Sequence, residues 1–222
     1  YLNPSRCPPG YRRLSLLIEE LNYSIPPLFS MHLNQFDSWV RSKIHYNFAL
    51  FDNNQPNTTL STRFTDQLKS IPHPLVLYTE GAKNSAASSQ HKYRLPVESS
   101  TLTAELFAIV MALRWKSLFI HASPNFVICT DSSAALHKIQ QIYSTCPLVR
   151  QIQDQLSILS ASGKRMHFFR VPSHQGLIGN ETADIAAKGT ITNPSSPMVA
   201  QTPPSDAKDT IKEVLLLQWQ NS

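Results

Sequence analysis

Glycine is scarce in this chain, at 6 of 222 residues where ordinary usage would give roughly 15. Charge is scarce too. Only 16% of residues are charged, below the usual ~25%, which excludes a solvating or polyelectrolyte-like polypeptide. The 3 cysteines are odd in number and have no CxxC spacing. That excludes a disulfide framework or a zinc ribbon and fits a reducing compartment, so an intracellular protein of the nucleus or cytoplasm is expected rather than a secreted one. No apolar run approaches the ~20 residues of a membrane span, so no membrane association is expected. Acidic residues number 15 against 20 Lys+Arg, a net charge of +5, which points weakly to an acidic partner such as nucleic acid.

Proline, by contrast, is abundant, at 16 residues, where usual composition would give roughly 11. Its placement is more informative than its number. Twelve of the 16 prolines lie before residue 75 or after residue 190, whereas five of the 6 glycines lie between. Composition thus outlines a central domain at 75–190, preceded by a connector at 1–74 and followed by a Pro/Ser-rich linker and the start of a helix at 191–222. A chain that begins at Tyr1 and ends on an apolar stretch reads as a piece of a longer polypeptide.

The connector shows two patches of helical periodicity, Tyr11 to Leu21 and, more weakly, Phe36, Trp39, Val40 and Ile44. The polar stretch 52–61 reads as a loop. In the centre, Leu75 to Thr79, Asn125 to Thr130 and Met166 to Val171 are strand-like apolar runs. Residues 89–98 and 99–102 are expected to supply two further strands. Helical spacing covers Thr103 to about His121, Ser132 to about Tyr143 and Leu148 to Ser162, and a short helix closes the domain at Asn180–Lys188. Strands alternating with helices of this length indicate an α/β sheet. The tail 191–209 reads as flexible, and 209–220 as a short amphipathic helix.

Seven acidic residues lie within 77–190. Glu80 and Asp131 end strands, Glu105 sits in the first turns of the long helix, and Asp184 lies on the last helix. Ligand sites of open α/β sheets form at the carboxyl ends of strands. Singly, each acid is explained by helix capping. Together they could form a carboxylate cage, which needs cations because clustered like charges disfavour one another's ionisation. A pair of Mg²⁺ ions suits such an oxygen-rich site.

These residues sit in ordered motifs: Leu77-Tyr-Thr-Glu-Gly-Ala-Lys83, Thr103-Ala-Glu-Leu106, Cys129-Thr-Asp-Ser-Ser-Ala134, Val171-Pro-Ser-His-Gln-Gly176 and Gly179-Asn-Glu-Thr-Ala-Asp-Ile-Ala-Ala-Lys188. Across about 77–190 the set resembles the type 1 ribonuclease H domain of non-LTR retrotransposon polyproteins. The resemblance implies a five-stranded mixed sheet of order 3-2-1-4-5 flanked by helices, with a connector following a reverse transcriptase. It also implies hydrolysis of the RNA strand of RNA–DNA hybrids with two Mg²⁺ ions, for which Mn²⁺ may substitute. Glu105, Asp131 and Asp184 would hold the metals and Glu80 would bridge them. His174 would move protons or assist product release. Asn180 would help bind substrate, with Lys83, Ser132 and Ser133 as backbone contacts.

The sequence departs from the family at position 80, where Glu replaces the expected Asp, and at position 82, where Ala replaces Ser. One added methylene extends the carboxylate by roughly 1.5 Å, whereas catalytic groups need placement to about 0.5 Å. Impaired activity is therefore expected. The alternative is a catalytically inactive nucleic-acid-binding remnant of a retrotransposon; a protein-interaction domain finds little support. Outside the four cage acids the central span carries 11 Lys+Arg against 3 acids, a basic surface that suits hybrid binding in either case.

Overall fold

The computed structural model describes residues 19, 24, 27–29, 44–48, 57–82, 85–88, 91–118, 123–191, 193 and 195–221. In chain order the elements are β1 (Ile44–Asn47), α1 (Asn57–Lys69), β2 (Pro74–Ala82), β3 (Ser85–Ser88), β4 (His91–Arg94) and α2 (Thr101–Leu118). There follow β5 (Asn125–Thr130), α3 (Ser133–Gln140), α4 (Pro147–Ala161), β6 (Arg165–Arg170), α5 (Ile178–Ile191) and α6 (Pro204–Asn221). The strands form one mixed sheet of order β1-β6-β5-β2-β3-β4. β1, β6, β5 and β2 run parallel, and β3 and β4 pair antiparallel as a meander.

β5 lies at the centre because its residues are apolar on both faces, as a strand covered on both sides requires. Its alternate side chains divide between two cores. Phe126 and Ile128 join Phe168 and the apolar faces of α2, α3 and α4; Val127 and Cys129 join Phe169, Val171, and Leu60 and Phe64 of α1. Burial in this apolar layer pushes the Cys129 thiol far up.

Among the described residues the sheet has six strands rather than the expected five. Ile44, assigned above to a helical patch, lies in β1, which pairs in register with Met166–Phe169. The expected loop at 52–61 gives way at Asn57 to α1, which seals the second core. The strand expected within 89–98 is present at 91–94, whereas the one expected at 99–102 is not formed and the remaining strand of the meander lies at 85–88. Residues 99–102 turn into α2 because Ser100 caps it, accepting the Thr103 N–H at 3.1 Å. The helix expected from Ser132 to about Tyr143 is shorter and ends at Gln140, with Ser132 accepting the Ala135 N–H. The tail is docked rather than loose, and its helix begins at Pro204. The periodic patches at 11–21 and 36–40 lie almost wholly outside the described residues. No described helix is long and apolar enough to cross a membrane.

Candidate active site

The carboxyl ends of β2 and β5 lie side by side in parallel, so the acids at those ends are neighbours by topology. Glu105 reaches them from α2 because residue 81 has no side chain. A Cβ there would sit 2.3 Å from the Glu105 amide nitrogen and 2.6 Å from the Ala104 carbonyl carbon. The missing methyl lets α2 lie directly against the end of β2. One ligand oxygen each from Glu80, Glu105 and Asp131 falls within 4.8 Å of the others.

Two of these carboxyls are buried, Glu80 at 7% and Glu105 at 4% exposure. Burial pushes the Glu80 carboxyl up to about 8, helped by the charges of Asp131 and Asp184 and opposed by Lys188. Burial, then Glu80 and Asp131, holds Glu105 well above the ordinary range, against the pull of a Gly81 backbone hydrogen bond and the Thr130 hydroxyl. That hydroxyl donates to Glu105 Oε2 at 3.4 Å. Asp131 takes a short hydrogen bond from the Ser173 hydroxyl. Glu80 Oε2 is buried and accepts no hydrogen bond among the described residues. An orphaned buried oxygen beside two further carboxylates is a donor set suited to a hard divalent cation.

Asp184, on α5, interacts electrostatically with Glu80 but stands outside the close trio. Its Oδ2 lies 2.8 Å from Lys188 Nζ and 3.8 Å from His174 Nδ1. His174 is exposed, with 68% of its side chain accessible, and occupies the left-handed region at φ 54°. Its loop is latched by Glu181, which accepts the Gly176 N–H at 2.8 Å.

The other expected residues divide. Asn180 is buried at the start of α5, and its Oδ1 accepts no hydrogen bond among the described residues. Ser132 and Ser133 are engaged locally: Ser132 caps α3, and the Ser133 hydroxyl lies 3.2 Å from His137 Nδ1. Lys83 lies outside the described residues. Thr130, Ser173, Glu181 and Lys188 escaped the sequence reading as site residues. Of these, only Lys188 left a signal, its four-residue spacing from Asp184 on one helix.

A mixed α/β sheet with a buried carboxylate cluster at adjacent strand ends defines a hydrolase-like site suited to a cation. Residues 73–192 match the RNase H family model, and the chain belongs to the RNase H family, whose domains hydrolyse the RNA strand of RNA–DNA hybrids. Among solved structures, the chain is similar to RNase H1 from the halophilic archaeon Halobacterium salinarum NRC-1. The match has 18% identity and a TM-score of 0.41, and covers 53% of this chain and 97% of that one. No match was found among curated proteins.

Proposed function

We propose that the chain is a type 1 hybrid ribonuclease working with two divalent cations, Mg²⁺ or in its place Mn²⁺, and that Glu80 impairs it. The observation that carries this reading is the trio Glu80, Glu105 and Asp131, its ligand oxygens within 4.8 Å, two of its members buried. When bound, the cations would activate a water for in-line attack and neutralise charge on the leaving 3′ oxygen. Glu105 and Asp131 would hold them, Asp184 would complete the set, and Glu80 would bridge. His174, beside Asp184 on an exposed loop, would move protons or assist product release. Asn180, Lys83, Ser132 and Ser133 are proposed to meet the hybrid's sugar–phosphate backbone. The five sequence motifs support a place within a non-LTR retrotransposon polyprotein, beside a reverse transcriptase.

The test is cleavage of an end-labelled RNA–DNA hybrid in Mg²⁺ or Mn²⁺. Weak cleavage is expected, rising when Glu80→Asp is made, because a 1 Å misplacement can cost on the order of 10²-fold. Equal rates for the two forms would refute the bridging role of position 80. Hybrid binding that falls steeply with salt, with no product from either form, would establish the binding-only alternative.

A further inference from the structure

The tail beyond residue 192 lies outside the family match, yet it is fastened at three points, two on the domain and one on the segment before it. The Arg94 N–H donates to the Pro197 carbonyl at 2.9 Å and the Val199 N–H to the Arg94 carbonyl at 2.8 Å, adding the segment to the edge strand β4. The Thr202 N–H donates to the Pro27 carbonyl at 2.7 Å. The third point is Asp206 in the first turn of α6. The residue is 6% exposed, and its carboxylate accepts the Ser100 N–H at 2.8 Å and the Ser100 hydroxyl at 3.2 Å. The Ser205 hydroxyl shares the second oxygen at 3.2 Å.

Ser100 is the N-cap of α2. Its carbonyl accepts the Ala104 N–H at 3.0 Å, and its hydroxyl oxygen accepts the Thr103 N–H at 3.1 Å. A self-contained helix start of this kind carries Glu or Gln at the third helical position, which turns back to the N-cap N–H. Here that position holds Thr103, which is too short to do so. A carboxylate 106 residues further along the chain makes the missing bond. Two residues past Thr103 is Glu105, whose backbone lies directly against Gly81. The start of α2 is therefore tied to Asp206 at its cap and packed against β2 at Glu105.

We infer that Asp206 is a positioning residue: by completing the cap of α2 from the tail, it sets the approach of Glu105 to Glu80 and Asp131. This rests on the proposed role of Glu105 as a cation ligand, where displacements of about 0.5 Å already matter.

The test uses the full chain and its Asp206→Ala and Asp206→Asn variants. Three quantities are read: amide hydrogen exchange in the first turn of α2, the Mn²⁺ dissociation constant by spin-resonance titration, and kcat and KM for a labelled hybrid. For Asp206→Ala, exchange in that turn should quicken by roughly two- to thirty-fold, the range of a lost cap. Mn²⁺ binding should weaken and kcat fall several-fold, with KM unchanged. Asp206→Asn keeps one acceptor oxygen for the Ser100 N–H. It should restore both the protection and most of the Mn²⁺ affinity, which separates positioning from a general loss of folding. Wild-type Mn²⁺ affinity in the alanine variant despite faster exchange overturns the inference. So does an asparagine variant that regains protection without regaining affinity. Mn²⁺ binding with no hybrid cleavage by either the wild type or Glu80→Asp defeats the ribonuclease reading alone, since the affinity comparison still decides the role of Asp206. A chain that binds no Mn²⁺ defeats both.

Discussion

Stripped of divalent cations, the protein should lose stability as pH rises from about 5 to 8, the reverse of what most carboxylates cause. In the folded chain the Glu80 carboxyl is pushed up from 4.5 to about 8 by burial and by Asp131 and Asp184. The native state therefore binds a proton that the unfolded state has released. This contribution is complete below pH 4.5 and is lost as pH climbs through 8. Every tenfold gain in proton affinity on folding corresponds to ~1.36 kcal/mol. Halving the total for water that reaches the site mouth leaves roughly 2 kcal/mol, or about 4–8 °C in melting temperature for a chain of this size. Glu105 is displaced in the same direction and adds to the slope. His167 opposes it, because burial, then His45 and Arg165, lower its affinity for a proton, and a lowered histidine favours folding as pH rises. Thermal melts in EDTA at about pH 5, 6.5 and 8 should be compared for wild type and Glu80→Gln, because the glutamine variant retains the histidine slope and loses the Glu80 slope. Excess Mg²⁺ at the alkaline end should restore stability to wild type and much less to the variant. Parallel melting curves for the two proteins in EDTA would refute the argument that Glu80 is a destabilised buried acid.

Three further outcomes are expected. Gly81→Ala puts a Cβ 2.3 Å from the Glu105 nitrogen with only backbone atoms to yield; it should cost about 1–3 kcal/mol and abolish hybrid cleavage, and a fully active variant would show that α2 need not lie against β2. Lys188→Met removes the cation 2.8 Å from Asp184. Mn²⁺ affinity measured by calorimetry should then tighten, and a weaker affinity would mean that Lys188 aligns Asp184 rather than competes for it. Leu60→Ala empties a fully buried position on α1. A loss of about 2–4 kcal/mol by urea denaturation would confirm that α1 belongs to the folded unit, and a loss below about 1 kcal/mol would not.

The central elements were legible because burial on both faces writes itself into local composition. β2, β5 and β6 are short apolar runs, and α2 and α4 carry long apolar series. β1 and β3 were not. Ile44-His-Tyr-Asn has no alternation to mark it, and its partner β6 lies about 120 residues away. Ser85-Ala-Ala-Ser gains its strand character from hydrogen bonds to β2 and β4. Polar Asn57-Thr-Thr disguised the start of α1, whose apolar face acquires meaning only against Val127 and Phe169.

For the site, the sequence alone determined that acids stand at two strand ends and on two helices, because those positions follow from local pattern and motif order. The resemblance added the expectation of Asp at position 80, where this chain has Glu. Only the tertiary structure decided that Glu80, Glu105 and Asp131 converge while Asp184 stands outside the trio, beside Lys188 and His174. Only the tertiary structure, too, turned a proline-rich tail into the partner that completes the start of α2. Distances across a fold arise from packing between segments far apart in the chain, and local periodicity carries no record of them.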